Sequence, residues 1–395
     1  MAFSTYYDSA DTGLGGVNNT AGSLLAFLNK VLVNGYNSQT LTSMTCSGNI
    51  VTATLTAHGF RERQMITISG ATPSGYNGTW QIIVGTLTSN TFQFQIGSSG
   101  LAAATGTLAA IVAPLGWTAA FTGTNLTAYR APSGNQLYCR IDDTGTTSAR
   151  LVGYESMTDV NTGTNPFPTV AQASGGLFID KSNSSTAIRT YVIGNQTCFW
   201  LLTDYANNNV FHPNIFGDIP SFKSGDIWNT IIGASTALNV NTLAAYYPHN
   251  TSAVGPGSGG QAVPGMFMAR ASSNAVGSIQ IARTVDQGLL GYSLANGQST
   301  IGQPVGNGNS QGLAMSGNHP VDGGIWTQQV MIHETAYAAR GILPGMHTNI
   351  SIASAISYMT IFQGYGDMAG KEFLPLLQFY TGSGAMMIFE ISNTW

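Results

Sequence analysis

Two stretches decide the reading of this chain: residues 29–40, NKVLVNGYNSQT, and residues 115–145, LGWTAAFTGTNLTAYRAPSGNQLYCRIDDTG. They read as parts of one β-rich domain with other material placed between them. The first begins in the tail of a helix. Leu24, Leu25, Phe27, Leu28, Val31 and Leu32 recur on one helical face, Asn19 to Ser23 offer capping side chains, and Gly35 supplies a stop. The second opens a run of short strands: 128–130 and 137–141 joined across Pro132-Ser133-Gly134-Asn135, a turn at Asp142-Asp143-Thr144-Gly145, a strand at 149–154 and a loop at 159–164. The apolar helix stripe must dock on a surface, most simply the sheet that begins near Gly116.

The intervening block has its own rhythm. Residues 49–55 alternate like a half-buried strand, AHGF at 57–60 turns, 64–68 forms a second strand, and 69–73 and 75–79 turn again, with Asn77-Gly78 as a hairpin signal. Residues 80–84 and 91–96 add strands, the latter with Phe92 and Phe94 on one face, and 105–112 return the chain. About five strands in about 70 residues make a small β-sandwich or barrel. The expected fold is therefore mainly β: a β-sandwich-like host domain (1–40 and 112–395) with one N-terminal helix, and a small all-β insert (41–111). A break near 250–265 divides the host into two possible subdomains. Downstream, 190–193 and 198–203 pair across Gly194-Asn195-Gln196, and 373–380 and 385–391 form an apolar hairpin across Thr381-Gly382-Ser383-Gly384. The stretches 250–265 and 296–320 are Gly/Ser/Pro/Asn-rich and read as loops.

Only 8% of the 395 residues are charged, about a third of the usual share. Hydrophobic residues make up 43% and Gly 49 positions, which excludes a disordered composition. A free soluble surface normally carries roughly 25–35% Lys, Arg, Glu and Asp, so a chain this poor in charge is expected to bury much of its outside against other chains. Net charge is −4, and Lys and Arg are scattered singly, which gives no footprint for nucleic acid. Cys46, Cys139 and Cys198 lack metal spacing, are odd in number, and are read as free thiols suited to a reducing cytoplasm. MAFSTYYDSADTG at the start has no signal-peptide core, and no run reaches the roughly 18 apolar residues of a membrane helix.

Candidate chemistry is sparse. Asp142 and Asp143 offer oxygens to a cation, but without the alternating ligands of a calcium loop they read as a β-turn. His333-Glu334 begins like a zinc-protease helix, yet Tyr337 stands where the second His belongs, and Pro344-Gly345 separates His347 from it. Glu155 and Asp159 form a candidate glycosidase pair without a visible cleft. Trp80, Trp117, Trp200, Trp228, Trp326 and Trp395 are read as core or interface anchors. No catalytic, cofactor-binding or metal-binding residue is assigned, and no cofactor is expected.

The host segments resemble a class of tailed-bacteriophage virion proteins. The resemblance lies in SLL at 23–25 through LVNGY at 32–36, GWT at 116–118, FTGTN at 121–125, AYR at 128–130, RIDDTG at 140–145 and GYESMTDV at 153–160, with GILPG at 341–345 and GDMAGK at 366–371 near the end. In that class the VNGY stretch runs almost directly into GWT; here about 75 residues intervene. The insert is similar to small β modules that recur in phage tail and fibre proteins, through AHGF at 57–60, ISGAT at 68–72 and YNGT at 76–79. The resemblance implies a non-enzymatic structural protein of the virion, assembled in the host cytoplasm. Its expected place is the tail, baseplate or fibre, with capsid decoration as an alternative and a glycan-binding or depolymerising tail protein as a further one. The implied partners are other virion proteins (tail, fibre, head–tail or capsid subunits) and copies of itself in a trimer or ring, with no nucleic acid and no membrane.

Overall fold

The computed structural model describes residues 4–204, 209, 211–235, 264–284, 327–335, 338–349, 357–377, 386–392 and 395. The helix forms where the apolar stripe lies, as an α-helix over Ser23–Leu28 that widens into a π-helical turn over Asn29–Asn34. Leu24, Leu25, Phe27, Leu28, Val31 and Leu32 are all buried. Gly35 ends it at φ 76°, and a Cβ there would stand 2.5 Å from the Val112 carbonyl oxygen, so glycine is required twice over. The N-terminus differs from expectation. Gly22 occupies the cap position and no neighbouring side chain caps the helix. Asp143 does so instead: its Oδ2 accepts hydrogen bonds from the amides of Leu24 at 2.8 Å and Leu25 at 3.2 Å.

Beyond Gly35 the chain departs, and it returns to the same place. The Leu115 amide donates to the Val31 carbonyl at 2.9 Å and the Trp117 amide to that of Leu32 at 2.9 Å. The strands between pair with one another. Tyr36–Thr40, Thr105–Val112, Met65–Thr72 and Gly78–Gln81 make a four-stranded antiparallel sheet in that order, and Ser43–Ser47, Ile50–Thr54 and Thr91–Gln95 a three-stranded one. Two of these seven strands escaped the sequence reading, Tyr36–Thr40 and Ser43–Ser47, because each buries few side chains, Tyr36 and Met44 among them. Asn77-Gly78 is not a two-residue hairpin loop. Asn77 follows a 3-10 turn over Ser74–Tyr76, and its side chain bonds both backbone groups of Ala71.

The largest sheet holds thirteen described strands. Its order runs Thr5–Asp8, Thr190–Gly194, Cys198–Thr203, His212–Asp218, Thr230–Ser235, Leu177–Asp180, Ser148–Asp159, Tyr138–Asp142, Leu126–Arg130, Thr118–Gly123, with Thr162–Phe167, Pro264–Arg270 and Val276–Gln280 alongside. The expected hairpins are present, with Ala128 opposite Arg140 and Ile193 opposite Trp200. The expected loop at 159–164 is instead a tight turn at Val160 and Asn161, because Ser148–Asp159 runs on to pair Asp159 with Thr162. Ala282–Thr284, Thr327–Thr335, Ala338–Asn349, Met386–Glu390, Glu372–Leu377 and Phe362–Gln363 form a six-stranded sheet. There Leu377 opposes Met386 as the C-terminal hairpin requires; its turn at 381–384 lies outside the described residues, as do 250–263 and 296–320 of the two long loops.

Two apolar cores hold these layers. The first joins the helix, the 36–112 strands and one face of the large sheet. Trp117 sits in it, edge-on to Phe199 at 5.1 Å and Phe216 at 6.2 Å, its indole N–H given to the Asn195 carbonyl at 3.0 Å. The second lies between the large sheet and the six-stranded sheet. Trp200 bridges it, donating to the Pro344 carbonyl at 2.8 Å and meeting the Phe389 ring at 5.4 Å. The fold is mainly β, layered as sandwiches, with its helix near the N-terminus.

Candidate interaction surface

Period-two alternation sorts the strands between 118 and 159 into two faces. Tyr129, Cys139, Ile141, Ala149 and Leu151 point into the first core. The opposite face carries Phe121, Arg130, Tyr138, Arg140, Arg150 and Tyr154, all half-buried. Arg130 stands opposite Tyr138, Arg140 opposite Ala128 and Val152, and Arg150 opposite Asp142 and Phe178. The three arginines therefore step diagonally, one strand and two residues at a time. Diagonal neighbours on a sheet are about 7–8 Å apart, so the row spans about 15 Å.

Rings and carbonyls hold this row in place. The Arg130 guanidinium lies 5.3 Å from the Tyr138 ring centroid and that of Arg150 3.5 Å from Phe178; Phe121 stacks on Tyr138 at 5.8 Å. Each Nε donates to a backbone carbonyl: Arg130 to Gln136 at 2.9 Å, Arg140 to Val160 at 2.7 Å, Arg150 to Gly175 at 3.0 Å. Arg150 also reaches the Ser174 carbonyl. Asp142, 3.7 Å from Arg140, is the one carboxylate that pairs with the row among the described residues. Burial pulls the Arg150 guanidinium below its ordinary pKa, against the opposing pull of Asp142.

Several cations elsewhere meet carboxylates at short range, while Lys30 and Lys223 are held by carbonyl and amide oxygens. Lys181 and Asp143 are fully buried and meet at 2.5 Å, and Lys181 also donates to the carbonyls of Thr20 at 2.8 Å and Gly145 at 3.0 Å. Arg340, 1% exposed, meets Asp226 at 2.9 Å and contacts Glu334, which in turn takes the amide and hydroxyl of Ser272. Arg61 binds Asp11 at 2.6 Å and Arg63 binds Glu372 in a two-point pair at 2.7 and 2.8 Å, fastening the 36–112 strands to both neighbouring layers.

The residues singled out in the sequence fall as follows. Asp142 accepts from the amide of Thr144 at 3.2 Å and its hydroxyl at 2.7 Å, closing the turn, while Asp143 is the helix cap. Glu155 and Asp159 do not face one another. Four residues along one extended strand separate them by about 13 Å, beyond the roughly 5–9.5 Å that glycosidase carboxylates span. Glu155 is occupied by Arg270 at 2.6 Å through each oxygen and by Asn165 at 2.8 Å, and Arg270 in turn lies on Trp228. Burial works to raise the Glu155 carboxyl, but these hydrogen bonds and the Arg270 charge outweigh it and hold it below the ordinary range. Asp159 is fully exposed and turned to the Asn161 amide. His333 and Glu334 lie on a strand, not a helix; Tyr337 and Trp326 lie outside the described residues. His347 is buried with neither ring nitrogen hydrogen-bonded, 3.7 Å from Glu390 and edge-on to Phe373.

All three cysteines are free, and burial raises the thiols of Cys139 and Cys198 well above their ordinary pKa. Trp80 stacks on Phe94 at 6.3 Å and Trp395 donates to the Glu390 carbonyl at 2.9 Å. A cleft of about 320 Å³ between Ser9, Gly16, Ile188 and Asp204 holds Arg189, which is already paired with Asp8 at 2.7 and 2.5 Å. The arginine row is the feature that the sequence reading missed. Its members lie ten residues apart and look scattered, yet two successive short hairpins return each to the same face.

No protein-family model and no curated protein matches the chain. Among solved structures it is similar to the phage phi92 endosialidase, with 9% identity and a TM-score of 0.17 over 91% of this chain and 52% of that one. The chain thus spans about half the length of that protein, and a likeness at this level carries no argument about fold or function.

Proposed function

We propose that the protein is a non-enzymatic structural component of a bacteriophage virion, mounted on the tail and working by protein–protein assembly. The carrying observation is at the sheet edges. Thr118–Gly123 (TAAFTG), Tyr36–Thr40 (YNSQT), Gly78–Gln81 (GTWQ) and Ser43–Ser47 (SMTCS) are terminal strands of their sheets and contain no charged residue. Free-standing β proteins guard such edges with Lys or other charged residues, or with Pro, because unpaired backbone groups invite other chains. In an assembly the same edges become joints. The resemblance of the host segments to phage virion proteins supports the setting. On this reading the 36–112 strands are an inserted module, riveted by Arg61 and Arg63, that adds contact surface to the host domain.

Quantitative mass spectrometry of purified particles tests the proposal. A few to a few tens of copies per particle is the expected result. Hundreds of copies would move the protein to the capsid as a decorating subunit, and absence from particles would overturn the structural role. Cleavage of host polysaccharide that is lost on Glu155→Gln or Asp159→Asn would overturn the non-enzymatic reading.

A further inference from the structure

We infer that the arginine row is a docking face for an acidic segment of a neighbouring virion protein, an inference that rests on the assembly reading above. Three guanidinium groups share one sheet face at diagonal spacing, and Asp142 is the carboxylate that pairs with them among the described residues. Among the described residues, every other half-buried or buried arginine in an ion pair has a carboxylate within 2.9 Å. Lys30 and Lys223 also lack a carboxylate among the described residues, but each stands alone; this face gathers three arginines around one carboxylate, and a partner that brings two or more would complete it.

The geometry is ready for that partner. Each guanidinium is fixed by its Nε bond to a carbonyl, and Tyr138 and Phe178 support Arg130 and Arg150. Preset donors lose little freedom on binding, and planar guanidinium groups take carboxylates at two points. Arg and Tyr are also the residue types that dominate the energetics of protein interfaces. A second copy of the same face is disfavoured, since it would set three arginines against three. Nucleic-acid binders commonly make about 6–10 phosphate contacts, which three cations do not supply. Beside Arg130, the uncharged edge strand Thr118–Gly123 offers backbone groups that a peptide can pair with and a glycan cannot. The bulge at Ala120 confines that pairing to short stretches.

The test is photo-crosslinking in assembled particles, with Tyr138→p-benzoylphenylalanine as the probe. The expected product joins this chain to a different virion protein, within a segment holding at least two Asp or Glu residues. Arg130→Glu combined with Arg150→Glu lowers its yield about tenfold, a factor equal to 1.4 kcal/mol, and Arg130→Lys with Arg150→Lys lowers it less. Crosslinks to a second copy of this chain, to glycan or nucleic acid, or to a neutral or basic segment overturn the inference. So do equal yields from the Glu and Lys pairs, or no crosslink in particles that contain the protein. Absence of the protein from particles would instead remove the assembly reading, and the inference with it.

Discussion

The charges inside this molecule and those on its open sheet face obey different rules. Inside, each cation has been met: Lys181 by Asp143 and two carbonyls, Arg340 by Asp226, Glu334 and the Trp228 carbonyl. On the other sheet face, Arg130, Arg140 and Arg150 each donate to a backbone carbonyl, and Asp142 stands 3.7 Å from Arg140. Burial accounts for the two deepest pairs, those of Lys181 and Arg340; Arg61, Arg63 and Arg189 are paired although no more buried than Arg140. A buried charge must be paired where it sits or the fold does not form. A guanidinium that is only partly buried keeps some of its water. The interior charges are thus instruments of folding, joining elements far apart in sequence, and the surface row is free to serve a partner.

The widest gap between the two should appear on removing Arg340. Arg340→Met strands Asp226 and Glu334, and the expected loss is about 3–5 kcal/mol of unfolding free energy, read from urea denaturation. A loss under about 1 kcal/mol would mean that the hub is solvated and the contrast false. Asp143→Ala comes next, at about 3 kcal/mol, because it leaves Lys181 unpaired and the helix uncapped. Asp143→Leu combined with Lys181→Met should recover a large part of that loss, since replacing both charges removes the orphan. A double variant no better than the single one would show that the capping bonds to Leu24 and Leu25, not the charge pair, carry the effect.

How much of this was legible beforehand follows the range of each interaction. The helix stripe, Gly35 and the hairpins at 126–142 and 190–203 announce themselves through local periodicity, so they were read from a single window. The helix cap was not, because its acceptor stands 119 residues away on Asp143. Residues 159–164 look like a loop because they are polar, and only the ladder between Ser148–Asp159 and Thr162–Phe167 reduces that loop to a tight turn. The arginine row failed for a related reason. Residue type and local spacing say nothing until hairpin register fixes which face each arginine shares, and a period near ten across two short hairpins is the signal that would have revealed it.

Acid should blur the contrast at one place. The Glu155 carboxyl is held below its ordinary pKa chiefly by Arg270, in spite of burial. A depressed folded value means that the pair stabilises fully above the unfolded carboxylate pKa of about 4.3 and loses that contribution as pH falls through the folded value. Glu155→Gln should therefore be less stable than wild type in urea at neutral pH, with the difference shrinking toward zero near pH 3. A difference that persists at low pH would assign the effect to packing against Trp228 and not to charge.

The smallest effect is also the one that defines the open face. Arg140→Gln removes the middle member of the row and gives up the bond to the Val160 carbonyl and the long pair with Asp142. The pair with Asp142 is long and the side chain keeps some water, so the unfolding free energy should fall by no more than about 1 kcal/mol. A loss of 2 kcal/mol or so would place Arg140 among the interior charges, as a brace for the turn at Val160. Near-neutrality would leave the residue without a folding role large enough to explain three arginines on one sheet face, in a chain that has only thirteen Lys and Arg to place.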